Sequence, residues 1–400
     1  MTTKDSKSSG AENAIREFLE LAAKPPAPGA GIPDGASSLM KNLWFSWNRL
    51  HIGFEWLLKS RCKKLRPRAQ ILLEWAMTEC YAMDGLPQEV CVDMAVEHAR
   101  KVGGREEAGF VNAVLRRLLR EAGDLNALKD MLKSAPAYVQ CQLPQKLYER
   151  WCARHGVDWT MELAELLQKP AKITARRRGS LAGLQSPLTF DDAVSVFEES
   201  DDGFDPSRFY LQDPSTMMAP AMLDPRPGEK IGDLCASPGG KSVAIAERMA
   251  GQGLLYSSDC AEGRLKRLRE NLASCAIAVV ELQDATQPTL PKESFDGVLL
   301  DVPCSNTGVI RRRPDVRRNF QLANFDRLCK LQREILDGAC GLVRPGGRLI
   351  YSTCSIDDDE NVRQAENFLK RHKEFVLEEQ RQLYPSEAHD GAFAARFKRI

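Results

Sequence analysis

The 400-residue sequence has no long apolar run and no secretory leader pattern. Its apolar stretches are short, such as Val298–Leu300, whereas a membrane-spanning helix needs about 18 consecutive apolar residues. The lysines near the N-terminus are not followed by an apolar segment, as a secretory signal would require. These absences predict a cytoplasmic chain that does not interact with a membrane.

Paired cysteines and clustered histidines are also missing. The 12 cysteines include no C-x-x-C pair, and only five histidines are present. Zinc sites in proteins ordinarily use such close pairs, so the sequence predicts no metal site. The irregular cysteine spacing argues against a secreted disulfide scaffold. We therefore expect a reducing compartment, in which most of the cysteines are small buried apolar groups.

The net charge is only +1, so the overall charge does not indicate nucleic-acid binding. Arginines are nevertheless clustered at Arg176–Arg178, Arg311–Arg313 and Arg317–Arg318. A single basic run is most often a solvated face, but several runs converging on one cleft would follow a phosphate backbone.

Composition divides the chain into four parts. Residues 1–35 end in a cluster of prolines and glycines and are predicted to be disordered or loosely attached. Residues 36–125 carry apolar side chains at helical spacing without a strand pattern, which predicts an all-helical domain. Residues 126–215 are interpreted as a linker with a small mixed α/β subdomain. Residues 216–400 are predicted to form the catalytic domain.

Short strands alternate with helices from residue 228 onward. Strands are predicted at residues 230–234, 254–258, 278–282, 295–301 and 348–352. Helices are predicted at residues 241–250, 263–275, 325–343 and 361–371. This alternation predicts a parallel sheet with helices on both faces, in which ligands bind outside the carboxyl ends of the strands.

The segment Asp233–Ser242, DLCASPGGKS, lies between the first of these strands and a helix. Gly239 and Gly240 allow a ligand to approach the backbone, and the helix that follows offers free amide groups. Asp259 ends the next strand, where an acid commonly binds ribose hydroxyls, and Asp284 follows the third strand. The turn matches neither G-x-G-x-x-G nor G-x-x-x-x-G-K-[ST]. It therefore favours S-adenosylmethionine over NAD or ATP.

Two cysteine motifs, Asp301–Gly308 and Tyr351–Ser355, end neighbouring predicted strands. Pro303 stiffens the first of them. Adjacent strands lie about 4.8 Å apart, so Cys304 and Cys354 can reach one substrate together. A single cysteine near a strand end is more often a packed core residue. Two cysteines beside an acid and a glycine-rich turn favour a catalytic site.

These groups suit methylation of cytosine at carbon 5. That carbon is a poor nucleophile, but a thiolate added to carbon 6 makes it enamine-like. A carboxyl group beside ring nitrogen 3 supports the change of charge, and a second group assists the loss of the carbon-5 proton. Spacing alone does not decide which cysteine attacks.

The motifs LCASPGGKS, DVPCSNTGVIRRRPDV and YSTCSIDDDEN, with a closing HDGAFAARFKR, stand in order within residues 205–400. In them the chain resembles the Sun, NOL1/NOP2 and fmu family of RNA 5-methylcytosine methyltransferases, and most closely its RsmB type, which acts on cytosine 967 of 16S rRNA. The segment AGFVNAVLRRLLR resembles the NusB-like RNA-binding domain of that type. The resemblance implies an α/β fold: a Rossmann-like, S-adenosylmethionine-dependent methyltransferase domain preceded by an all-α NusB-like domain.

The resemblance also implies roles for individual residues. Cys354 matches the nucleophile, Cys304 the cysteine that helps to release the product, and Asp301 the acid that contacts the base. The matched cofactor-binding set is Cys235, Ala236, Ser237, Pro238, Gly239, Gly240, Lys241, Asp259, Asp284 and Asp301. Asn306 stands where the family more commonly has glycine, and Lys172–Arg178 departs from the family's Arg-Val-Asn pattern.

The expected partner is RNA, with 16S rRNA as the preferred candidate. The enzyme is expected to be a monomer. A base must leave its stack to react, which predicts a loop or an unfolded RNA as substrate. Contacts with the substrate backbone are predicted for the arginines that follow the Asp301 motif, namely Arg311, Arg312, Arg313, Arg317 and Arg318.

Other functions remain open at this point. The same chemistry on tRNA or on another rRNA site is one alternative. A non-catalytic RNA-binding factor in ribosome assembly is another, and a DNA cytosine methyltransferase is disfavoured because its cofactor turn differs.

Overall fold

A computed structural model describes residues 4–24, 32, 35–179, 195–196, 205 and 207–400. Contacts divide the chain into two units. One comprises Met1–Gln168 and Arg313–Phe320, and the other Lys169–Arg312 and Gln321–Ile400. The regular elements described in the first unit are helices, whereas the second unit contains helices and two β-sheets. Within these described ranges, no helix is both long enough and apolar enough to span a bilayer.

The first unit is built from nine helices among the described residues. They are α1 (Lys4–Ala23), α2 (Ser38–Arg61), α3 (Pro67–Ala82), α4 (Gln88–Glu121), α5 (Leu125–Leu132), α6 (Ala137–Gln140), α7 (Gln145–His155), α8 (Val157–Gln168) and, from the later segment, α12 (Val316–Asn319). Helix α2 begins where Ser37 Oγ accepts a hydrogen bond from Met40 N. Helix α4 contains a break at Gly104, whose φ of 78° favours glycine.

The prediction that residues 1–35 are disordered or loosely attached is wrong for α1. Phe18 is fully buried, and its ring centroid lies 5.0 Å from that of Trp47 in an edge-to-face contact. The prolines and glycines that motivated the prediction follow α1 and do not interrupt it. The apolar side of α1 is thus part of the core of the helical unit.

The expected boundary of the helical domain at residue 125 is also displaced. Helices α5 to α8 continue the first unit as far as Gln168. Their stop signals, such as Pro136 and Pro144, separate short helices and do not end the unit. Of the segment 126–215 that was interpreted as a linker and small subdomain, only the portion from Lys169 onward belongs to the α/β unit.

The second unit contains two sheets. The smaller is antiparallel and has the order β2 (Ser195–Val196), β1 (Thr174–Arg177), β3 (Phe209–Leu211). The larger has the strands β4 (Lys230–Asp233), β5 (Leu254–Asp259), β6 (Ala278–Leu282), β7 (Phe295–Asp301), β8 (Val343–Thr353), β9 (Phe375–Leu383) and β10 (Ala392–Arg399). Its helices are α9 (Met218–Leu223), α10 (Gly240–Arg248), α11 (Glu262–Leu272), α13 (Leu322–Ala339) and α14 (Val362–Arg371).

The larger sheet has the order β6-β5-β4-β7-β8-β10-β9. Strands β4 to β8 pair in parallel, which confirms the predicted parallel sheet. Asp233 pairs with Leu299, and Asp301 with Ser352. The carboxyl ends of β4, β7 and β8 therefore meet at one edge.

Strands β9 and β10 were not foreseen from the sequence. Both pair antiparallel, and β10 lies between β8 and β9. The sequence of β9 is FVLEEQRQL, most of which is polar, so its strand character depends on pairing with β10.

Candidate active site

The glycine-rich turn after β4 forms one wall of the site. Gly239 adopts a φ of 111°, which favours glycine, and α10 begins at Gly240 without a side-chain cap. An added Cβ on Gly240 would lie 3.1 Å from the ring of Tyr210. The turn is tied to the next strand, since Ala236 N donates to Ser258 O at 2.8 Å. The first amides of α10 are therefore available to an anionic group.

Acidic side chains follow the neighbouring strands. Asp259 is almost fully buried at the end of β5, and its Oδ1 accepts a hydrogen bond from Ala261 N at 3.3 Å. Asp284 is exposed after β6 and accepts from Thr286 N and Oγ1 through the same oxygen, Oδ1. In the described part of the chain, both carboxylates accept these hydrogen bonds through Oδ1.

Asp233 is fully buried beneath this turn and accepts a hydrogen bond from Ser242 Oγ at 2.6 Å. Burial raises the pKa of Asp233 to about 7, although the bond from Ser242 acts in the opposite direction. The bond fastens the end of β4 to the first turn of α10. Asp233 is thus part of the support of the turn.

An ion pair links the glycine-rich turn to the end of β7. Lys241 Nζ lies 2.5 Å from Asp301 Oδ2, and Ser352 Oγ donates to Asp301 Oδ1 at 3.0 Å. Burial by itself lowers the pKa of Lys241, but the attraction of Asp301 outweighs it and raises that pKa. Lys241 also interacts electrostatically with Cys354. The cofactor turn and the cysteine at the end of β8 therefore belong to one site.

The two motif cysteines face each other across β7 and β8. Cys304 Sγ and Cys354 Sγ lie 3.2 Å apart, and the Cys354 thiol also donates to Asn306 Oδ1 at 3.1 Å. The hydrogen bond with Cys354, together with burial, raises the pKa of the Cys304 thiol well above its usual value. Cys354 is half-buried, so a substrate can reach its sulfur.

A buried carboxylate supports the cysteine loop. Glu360 is fully buried and accepts from Ser305 N at 2.8 Å, Ser305 Oγ at 2.5 Å and Gln332 Nε2 at 2.9 Å. Gln332 donates to Pro303 O at 2.9 Å as well. Burial raises the pKa of Glu360. This network fixes the loop that carries Cys304.

Backbone contacts bring three segments together beside Cys354. Gly308 N donates to Cys354 O at 3.0 Å, and Gly391 N donates to Gly308 O at 2.8 Å. A Cβ on Gly308 would approach these segments to within 2.7 Å of Cys354 O and 2.8 Å of Gly391 O. The position therefore requires glycine.

Two of the arginines predicted to contact RNA are committed to the α/β unit. Arg311 is 3% exposed and donates to His389 O at 3.1 Å. Arg312 pairs with Asp390 at 2.6 Å and with Asp213 at 2.8 Å. The predicted RNA contact is wrong for Arg311, because its guanidinium group is buried, and Arg312 is held by two carboxylates.

The other three arginines belong to the helical unit. Arg317 is 2% exposed and donates to Gln142 O at 2.9 Å and Leu167 O at 2.8 Å. Arg318 lies 4.8 Å from the ring centroid of Trp47, and Arg313 pairs with Asp315 at 3.1 Å. The predicted RNA contact is therefore wrong for Arg317. Arg313 and Arg318 are engaged within the protein.

The structure thus brings together most of the predicted catalytic and cofactor-binding groups, whereas the five arginines make their described contacts with other parts of the protein. Glu360 and Ser352 were missed as supports of the site. Glu360 lies in the run DDDEN, which the sequence presents as a polar loop, and only the fold shows that its carboxylate is buried.

Comparisons with known proteins agree with this arrangement. Residues 220–398 match the 16S rRNA methyltransferase RsmB/F family, and residues 7–120 match the NusB family. Ribosomal RNA small subunit methyltransferase B of Vibrio cholerae is 33% identical over 78% of this chain and 76% of its own length. The protein of the same description from Photorhabdus laumondii is 30% identical over 91% of this chain and 90% of its own length.

One solved structure covers both units. The crystal structure of PH0851 has a TM-score of 0.72 and 22% identity, and the match covers 96% of this chain and 98% of that one. The likeness shows the fold. Together with the family matches, it confirms a NusB-like helical domain followed by a Rossmann-like methyltransferase domain.

Proposed function

Because the chain belongs to the ribosomal RNA small subunit methyltransferase B family, we propose that it methylates carbon 5 of a cytosine in 16S rRNA. The proposed target is the position that corresponds to cytosine 967. The proposed reaction proceeds through a covalent bond between the base and Cys354. The chain is an S-adenosylmethionine-dependent RNA methyltransferase. The observation that carries the finer proposal is the 3.2 Å separation of the Cys304 and Cys354 sulfur atoms beside Lys241 and Asp301. An rRNA substrate implies work in the cytoplasm.

The site has the donor set that S-adenosylmethionine needs. The uncapped N-terminus of α10 suits the carboxylate of its methionine part, and Asp259 suits its ribose hydroxyls. Asp284 would hold the adenine. The further members of the proposed cofactor-binding set follow the end of β4 or end β7: Cys235, Ala236, Ser237, Pro238, Gly239, Gly240, Lys241 and Asp301. When bound, this cofactor supplies an electrophilic methyl group.

In the proposed reaction, Cys354 forms the first bond to the base. Its thiolate adds to carbon 6 of cytosine, and the electron pair of the C5–C6 double bond becomes available at carbon 5 to take the methyl group. The positive charge of Lys241 stabilises a negative charge on the Cys354 sulfur. Asp301 donates a proton to ring nitrogen 3, which neutralises the negative charge that develops there, and takes it back when Cys354 leaves.

In the second half of the proposed reaction, the base regains its double bond. The Cys304 sulfur, as a base, takes the proton from carbon 5, the C5–C6 double bond re-forms, and the bond between Cys354 and carbon 6 breaks. In the free enzyme the hydrogen bond with Cys354 keeps the proton on Cys304. Once Cys354 is bound to carbon 6, its sulfur no longer holds the Cys304 proton in place, and Cys304 releases that proton to solvent before it accepts the one from carbon 5.

Mapping of 5-methylcytosine tests the proposal. Undermethylated 16S rRNA is incubated with the enzyme and S-adenosylmethionine, and the modified position is read by bisulfite sequencing. One new 5-methylcytosine at the cytosine-967 position is expected, and none with the Cys354→Ala variant. Methylation only of tRNA or of another rRNA position would transfer the same chemistry to that substrate. Cofactor binding without any methylation of RNA would favour an assembly factor.

A further inference from the structure

A compact group of metal-binding side chains lies far from the active site in the same unit. Cys340 belongs to the short turn before β8, His372 follows α14, and Glu374 precedes β9. Their ligand atoms all lie within 4.8 Å of one another. Cys354 follows the other end of β8, which pairs with β7 from Val343 opposite Phe295 to Ser352 opposite Asp301. The six residue steps of β7 between these partners span roughly 20 Å at about 3.3 Å per residue.

The two distances from His372 Nδ1 to its neighbours in the group match those between the ligands of one zinc ion. Cys340 Sγ lies 3.6 Å from His372 Nδ1, and His372 Nδ1 lies 3.3 Å from Glu374 Oε1. Tetrahedral zinc binds sulfur at about 2.3 Å, and nitrogen and oxygen at about 2.0–2.1 Å. These bonds place sulfur about 3.6 Å from nitrogen, and nitrogen about 3.3 Å from oxygen.

The imidazole of His372 is already oriented for a metal. Its Nε2 lies 2.9 Å from Asp337 Oδ1, and Arg371 donates to the same oxygen at 2.7 Å. The tautomer with its proton on Nε2 donates to this carboxylate and directs the lone pair of Nδ1 toward the thiol and the carboxylate of the group. Histidines that bind zinc have such an outer carboxylate partner as a rule.

The three side chains of the group differ in solvent exposure. Cys340 is 5% exposed, whereas the side chains of His372 and Glu374 are 19% and 45% exposed. The sulfur is therefore protected from bulk solvent, and a cation can enter past Glu374. A merely structural ion pair between His372 and its two carboxylates would not need the thiol.

We propose that Cys340, His372 and Glu374 bind one divalent cation of the zinc type, with Asp337 positioning the imidazole. A water molecule completes the tetrahedron on the exposed side. Binding replaces the S–H bond of Cys340 by a metal–sulfur bond and releases one proton to solvent. Thiolate and imidazole ligands select zinc over magnesium or calcium. The ion joins the end of α14 to the turn before β8 and takes no part in methyl transfer.

Titration of the metal-free, full-length protein with cobalt(II) under reducing conditions tests this proposal. One equivalent should bind and produce a thiolate-to-cobalt absorption band. Cys340→Ser should abolish the band and weaken cobalt binding at least about tenfold, and Asp337→Asn should weaken it by about 10- to 100-fold. The control variant Cys275→Ser, at a half-buried cysteine outside the group, should leave the band and the affinity unchanged.

Two results would overturn the proposal: no stoichiometric binding by the wild-type chain, or an absorption band that survives Cys340→Ser. If Cys340→Ser does not fold, Glu374→Gln replaces it, because this residue is exposed and its substitution is tolerated structurally. Weaker cobalt binding by Glu374→Gln supports the site, and unchanged binding argues against it.

Discussion

Asn306 holds Cys304 and Cys354 from one position: its Oδ1 accepts the Cys354 thiol at 3.1 Å, and its Nδ2 donates to Cys304 O at 3.1 Å. The residue has a φ of 61°, in the left-handed region that favours glycine. Glycine is the commoner residue here in the family that the sequence resembles, and glycine offers no side chain for these bonds. In this chain Asn306 therefore adds a tether to the proposed nucleophile.

Replacement of Asn306 should distinguish the effect of its side-chain hydrogen bonds from the effect of its left-handed backbone conformation. Asn306→Gly keeps the left-handed turn but loses both hydrogen bonds, so single-turnover methyl transfer should slow by about 5- to 10-fold with little change in Tm. Asn306→Ala should lose the same activity and about 1 kcal/mol of stability as well, because alanine is strained at this φ. Full activity of Asn306→Gly would show that the side chain does not position Cys354.

Removal of the proposed nucleophile should stop the chemistry and spare the cofactor. Cys354→Ala should lower kcat by at least about a thousandfold, since no other group can add to carbon 6. Calorimetry should find S-adenosylmethionine affinity within about twofold of the wild type, because the turn at Gly239 is untouched. Cys275→Ala is the matched control and should retain activity. Residual activity above a few per cent would contradict a covalent role for Cys354.

Removal of Cys304 should trap the covalent intermediate. In the Cys304→Ala variant the base that removes the carbon-5 proton is missing, so the bond between Cys354 and RNA should persist. A protein band shifted by the mass of the RNA is expected on a denaturing gel. The double variant with Cys354→Ala should not give it. An adduct in Cys354→Ala alone would invert the two roles.

The buried Asp233 should make stability depend on pH. Burial raises its pKa from the usual 3.8 to about 7, so the unfolded chain loses this proton before the folded chain does. Wild-type stability should therefore fall relative to Asp233→Asn as pH rises from about 4 to about 7. Urea unfolding across this interval measures the difference, with Asp326→Asn at an exposed position as control. A difference that does not vary with pH would refute the buried-carboxyl explanation.

Local patterns were sufficient to predict the parallel strands and the meeting of their ends. The strand predicted at 295–301 coincides with β7, and the helix after Gly240 with α10, because period and turn residues are local signals. The pairing of Cys304 with Cys354 followed from the same reasoning, since parallel strands end at one edge.

The arginines show what local patterns cannot supply. Arg317 lies in a basic run that is typical of a phosphate contact, yet its guanidinium group satisfies the carbonyl groups of Gln142 and Leu167, about 150 residues or more away. The partners of such a side chain are set by tertiary packing. Phe18 and α1 were misjudged for the same reason, because burial against Trp47 depends on how the helices pack.

The position of β10 also bears on how the protein is made. Strand β8, which leads to Cys354, pairs on one side with residues 392–399. While the chain is still being synthesised, that side of β8 has no neighbour until residues 392–399 emerge from the ribosome. A chain that stalls or is cleaved before residue 392 would present an open strand edge, which promotes aggregation, and its nucleophile would stand at the end of an unfinished sheet.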